Sequence, residues 1–109
     1  KQRKAQYLAK KYLSSAKKVF HNQSLFYEAL ERALHNYLKA KLKIETTELS
    51  KSKIEILLLD KKVKQQTALD YVSVIENCEL ARYAPGSSVN IQSDFEKASR
   101  LIATIDKQL

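Results

Sequence analysis

Glycine and proline occur once each in 109 residues, side by side at Pro85 and Gly86, so the backbone almost lacks the residues that interrupt regular structure. Between a few polar breaks, apolar side chains recur at steps of three and four, the spacing that lines one face of an α-helix. The expected architecture is all-α: a compact bundle of about five helices in one domain, 1–109. At this length about two thirds of the unfolded chain's surface is buried on folding, enough for a modest single core. Cys78 is the one cysteine, so no internal disulfide contributes.

The helices are read as follows. Ala5, Leu8, Ala9, Tyr12, Ala16, Val19 and Phe20 form a stripe that predicts a first helix over 2–20, with Arg3, Lys4, Lys10, Lys11, Lys17 and Lys18 on its opposite side. Asn22 or Ser24 caps a second helix running to about Ile44, its apolar face including Phe26, Leu30, Leu34 and Tyr37. On its outer face Glu28 stands four before Arg32, and Glu31 four before His35. Ser50 caps a third, short helix, with Leu49 and Ile54 as a hydrophobic staple. The run Ile56–Leu59 leaves that helix almost no polar side, so it is expected to be buried among its neighbours. After the polar link 61–65, Ala68, Leu69, Tyr71, Val72 and Ile75 begin a fourth helix that reaches about Tyr83, where Pro85, Gly86 and two serines end it. Ile91, Phe95, Ala98, Ile102, Ile105 and Leu109 define a fifth, starting from Asn90 or Ser93.

Charge is distributed unevenly. Seven of the first eighteen residues are basic and none is acidic, so this opening carries +7 of the +8 net charge. A nucleic-acid-binding domain spreads Lys and Arg over a folded face, whereas a short basic run at one end suits an anionic membrane surface. Lys1, Arg3, Lys4, Lys10 and Lys11 are therefore the candidate membrane-surface residues. A core helix with a solvated lysine face is the plainer alternative. A small basic helical nucleic-acid-binding domain is the alternative from another class, but no helix offers a basic reading set and the aromatics lie in inward stripes, so no nucleic acid is expected. No apolar run approaches the roughly 20 residues of a membrane-spanning helix. With Lys at its start and no Met anywhere, the chain is expected to be a soluble piece of a longer polypeptide.

Catalytic templates are missing. His21 and His35 lie on different helices without ligand partners at metal spacing, Cys78 has no activating histidine, and one glycine excludes a phosphate-binding loop. No catalytic residue, metal or cofactor is expected. The fourth helix holds one irregularity: extending the stripe Ala68, Val72, Ile75 lands on Glu79 and Arg82. Three apart, these two can meet as a partly buried ion pair fixing the helix end. Alternatively Glu79, Arg82 and Tyr83, with the rigid turn at Pro85, form a partner-docking surface.

The segments Phe26-Tyr27-Glu28-Ala29-Leu30-Glu31-Arg32-Ala33-Leu34-His35-Asn36-Tyr37-Leu38-Lys39-Ala40-Lys41-Leu42, then Leu49-Ser50, then Cys78-Glu79-Leu80-Ala81-Arg82-Tyr83-Ala84-Pro85, stand in an order and spacing that covers nearly the whole chain from Ala5. In them the chain resembles the C-terminal cytoplasmic domain of the BatD family, aerotolerance proteins of the Bacteroides type. The resemblance implies a large periplasmic part, a membrane span just before the basic opening, and a helical tail on the side where positive residues accumulate. It also implies partners, von Willebrand A-domain membrane proteins and a MoxR-type AAA+ ATPase, and a part in oxygen tolerance or envelope stress without enzymatic activity.

Overall fold

Helix starts are set by side chains that accept the otherwise orphaned first N–H groups. The Asn22 side chain accepts the Leu25 N–H at 3.0 Å, Ser50 Oγ that of Lys53 at 3.2 Å, and Asn90 Oδ1 that of Ser93 at 2.9 Å. The structure, a computed structural model, describes residues 2–43, 50–83 and 90–108, with side chains from Ala9 onward. Among the described residues every regular element is helical: α1 Gln2–Lys17, α2 Gln23–Leu42, α3 Lys51–Asp60, α4 Gln65–Tyr83 and α5 Ile91–Gln108. The chain is an all-α bundle with a radius of gyration of 13.2 Å. That matches the roughly 13 Å of a compact domain this long.

Two helices stop earlier than the periodicity predicts. α1 ends at Lys17, not at residue 20, because the chain tightens: Val19 N–H donates to Ala16 O and Asn22 N–H to Val19 O, both at 3.1 Å. The turn carries Phe20 inward, its ring edge-on to Phe26 at 5.2 Å and to Phe95 at 5.1 Å. α2 ends at Leu42, not near Ile44, because Lys43 turns left-handed at φ 55° and its N–H returns to Lys39 O. Lys62, after α3, is also left-handed at φ 69°. A chain with one glycine places lysines where glycine would be unstrained, at about 1 kcal/mol each.

Among the described residues α1, α2, α4 and α5 form a closed ring, with α2 also touching α5 across it, while α3 packs on α4 alone. The shared core is built from Leu13 and Ala16 of α1, Phe26, Leu30 and Leu34 of α2, Tyr71, Ile75 and Cys78 of α4, and Ala98 and Ile102 of α5. Its tyrosines keep their hydroxyls satisfied, as buried polar groups must be. Tyr71 donates to Leu34 O at 2.6 Å, Tyr27 to Asp94 Oδ2 at 2.5 Å, and Tyr37 to Ile102 O at 3.4 Å.

The expectation that α3 is buried on all sides is corrected. Only Ile54 and Leu58 are buried, whereas Ile56 is 65% and Leu59 39% exposed. With α4 as its one neighbour, α3 can cover a single stripe, and residues four apart supply it. Leu49 of the expected staple lies outside the described residues.

Candidate functional site

The last turns of α4 hold the residues singled out by sequence, but in a different register from the expected one. The buried face runs through Ala68, Tyr71, Ile75, Cys78 and Ala81, leaving Val72, Glu79 and Arg82 half-buried on its flank. Tyr71 turns inward because its hydroxyl finds the Leu34 carbonyl, and the small Cys78 and Ala81 continue that stripe. Glu79 and Arg82 therefore occupy no core position and are not paired with each other.

Each instead reaches a different helix. Arg82 Nη1 donates to Glu31 Oε1 of α2 at 2.8 Å, and Glu31 Oε2 lies 3.7 Å from His35 Nε2. Lys51 Nζ at the start of α3 donates to Glu79 Oε1 at 2.9 Å and stands 3.9 Å from Glu76. The bond to Glu31 raises the Arg82 pKa, and the bond to Glu79 raises that of Lys51. These charge-assisted bonds tie the end of α4 to α2 and α3. Replacing Arg82 with alanine is expected to cost about 1–2 kcal/mol, because both side chains keep some access to water. Urea unfolding of Arg82→Ala checks this, and an unchanged midpoint would show that the tie contributes nothing.

With its charges engaged inward, this end of α4 presents apolar and aromatic surface. Tyr83 is 74% and Leu80 55% exposed, and the Arg82 guanidinium sits 5.2 Å from the Tyr83 ring centroid. Beside them Glu28, Glu31, Arg32, His35 and Arg82 line a shallow polar depression of about 210 Å³. It contains no nucleophile. Pro85 lies outside the described residues. Sequence reasoning missed Glu31 and Lys51 as the partners, which no local spacing signals, and Leu80 as part of the exposed surface, for which the stripe through Tyr71 and Cys78 was the available signal.

On the other side of the bundle, Lys10, Lys11 and Lys17 are exposed on α1 and Lys18 in the turn that follows it, and none pairs with a carboxylate among the described residues. Lys11 Nζ rests 5.9 Å from the Tyr12 ring centroid. Lys1 and the side chains of Arg3 and Lys4 lie outside the described residues. No described helix is long and apolar enough to cross a membrane, and no described group of three His, Cys, Asp or Glu side chains could hold a metal. Cys78 is fully buried, and burial first, then the Glu31 carboxylate, push its thiol up out of the reactive range. Comparison of the chain with protein-family models, with curated proteins and with solved structures finds no match, so the site rests on the chain's own residues.

Proposed function

We propose that this chain is a non-catalytic protein-interaction module, the cytoplasmic part of a membrane-anchored BatD-like protein serving oxygen tolerance or envelope stress resistance. Its partners in this reading are von Willebrand A-domain membrane proteins and a MoxR-type AAA+ ATPase, met at the end of α4. The carrying observation is Tyr83: a largely exposed aromatic beside exposed Leu80, backed by an arginine that an ion pair to α2 holds still. Tyr and Arg dominate binding energy at protein interfaces, and a rigid support lowers the ordering cost on association. The basic face of α1 supports the second half of the reading, in which the opening helix lies along an anionic leaflet at the inner membrane.

Tyr83→Ala is expected to weaken co-purification with a MoxR-type ATPase or a von Willebrand A protein about tenfold or more, at unchanged melting temperature. Undiminished capture of both partners by the variant would overturn the docking surface. For the membrane half, neutralising Lys1, Arg3, Lys4, Lys10 and Lys11 should release the chain from anionic vesicles, at about 1 kcal/mol per charge. Equal co-sedimentation of both forms would remove that half.

A further inference from the structure

Between α1 and α5 a groove of about 500 Å³ opens, lined by Lys10, Leu13, Ser14, Lys17, Phe95 and Ser99, with Lys18 beside it. On α1 the lining repeats at steps of three and four, so one stripe of that helix faces the groove. Lys10 and Lys17 stand seven residues apart, about 10 Å along the axis. Leu13 is buried beneath, and the half-buried Phe95 ring forms the far wall, held edge-on to Phe20 at 5.1 Å. A second depression of about 480 Å³ shares Phe95 and Ser99 and continues past Gln92, Glu96 and Arg100. Glu96 there accepts a hydrogen bond from Gln92 Nε2 at 2.9 Å.

Three features choose the occupant. The three lysine ammonium groups have no carboxylate partner among the described residues, so charge complementarity asks for an anion. Their methylene stems and the Phe95 ring supply apolar walls that can adjust to a flexible chain. The volume is that of a small-molecule site, about 300–1,000 Å³, and too small for a docked helix about 10 Å across. We propose that this groove binds one fatty-acyl chain carrying an anionic headgroup. The headgroup pairs with the lysines along the α1 wall, and the chain lies against Leu13 and Phe95. This site is separate from the partner surface on α4; it shares Lys10 with the membrane-facing set of α1, and the groove-filling substitutions distinguish the two.

The test titrates the 109-residue chain with cis-parinaric acid, whose fluorescence rises in an apolar site. Saturable one-to-one binding is expected, with the methyl ester about tenfold weaker or worse because it lacks the charge. Ser99→Phe fills the groove and should cost about tenfold or more, while helical circular dichroism and sedimentation with anionic vesicles stay unchanged. Should that variant misfold, Ser14→Phe, at an exposed position on the other wall, serves the same purpose. The triple variant Lys10→Gln, Lys17→Gln, Lys18→Gln should lose a similar factor for the acid and little for the ester. Absence of saturable binding, equal binding by the folded groove-filling variant, or capture of an acidic amphipathic peptide in place of the fatty acid would overturn the proposal. Vesicle binding that persists in the groove-filling variant separates this outcome from any failure of the membrane-surface reading.

Discussion

Raising the pH from about 8 to about 11 is expected to remove about 7 kcal/mol of stability, because buried phenols and a buried thiol ionise only when the chain opens. Tyr27, Tyr37, Tyr71 and Cys78 are all fully covered. Burial is the leading reason each holds its proton above its ordinary value, with Asp94 adding to the effect at Tyr27 and Asp106 at Tyr37. In the unfolded chain the phenols titrate near 10.0 and the thiol near 9.0. Above those values the folded chain binds more protons than the unfolded one. Each pH unit then favours unfolding by about 1.4 kcal/mol per group. The stability these groups supply is complete below about pH 8; the thiol's share falls as the pH climbs past about 9 and the phenols' share as it climbs past about 10. The loss is comparable to the whole stability of a small domain, about 5–15 kcal/mol. Urea unfolding at stepped pH measures it, and the share of tyrosinate absorbance that Tyr71→Phe removes should appear together with the loss of helical signal. Tyr71→Phe should flatten the slope by one proton. That share of the absorbance forming while the helices remain intact would show that the Tyr71 phenol ionises in place.

Phe26→Ala is expected to destabilise the bundle by about 3–5 kcal/mol, through lost burial and the cavity left behind. The Phe26 ring is fully buried and lies edge-on to Phe20 at 5.2 Å and to Tyr27 at 4.9 Å, with Phe95 at 6.4 Å. It joins the α1–α2 turn to α5, and each edge-on pair adds about 0.5–1.5 kcal/mol beyond its buried area. The measurement is the urea midpoint at constant slope. A shift within about 0.5 kcal/mol, typical of surface substitutions, would place Phe26 outside the cooperative core.

The helices were legible because their starts are local chemistry. Asn22, Ser50 and Asn90 each close on the N–H three residues ahead, within reach of any reading of neighbours. The register of α4 was not legible in that way. Its apolar residues at 68, 69, 71, 72, 74 and 75 cover more than half the helix circumference, so periodicity admits two stripes. A single tertiary hydrogen bond, Tyr71 to Leu34 O, distinguishes them. For α3 the unbroken run Ile56–Leu59 has no period, and whether it is enclosed depends on how many helices surround it. At the site, Glu31 lies 51 residues from Arg82, and Lys51 lies 28 from Glu79. Pairing over such separations leaves no trace in local spacing. The exposure of Tyr83 and Leu80 became visible only once the register was fixed.

Because α3 rests on α4 and on no other helix among the described residues, the molecule contains two tiers of cohesion. Four helices brace one another around a closed circuit, so displacing any of them breaches the whole interior. α3 can lift away after giving up Ile54, Leu58 and the Lys51 contacts, leaving that circuit standing. Its opening free energy is accordingly expected to lie below that of global unfolding, and amide exchange should show α3 opening as a separate foldon on a sturdier frame.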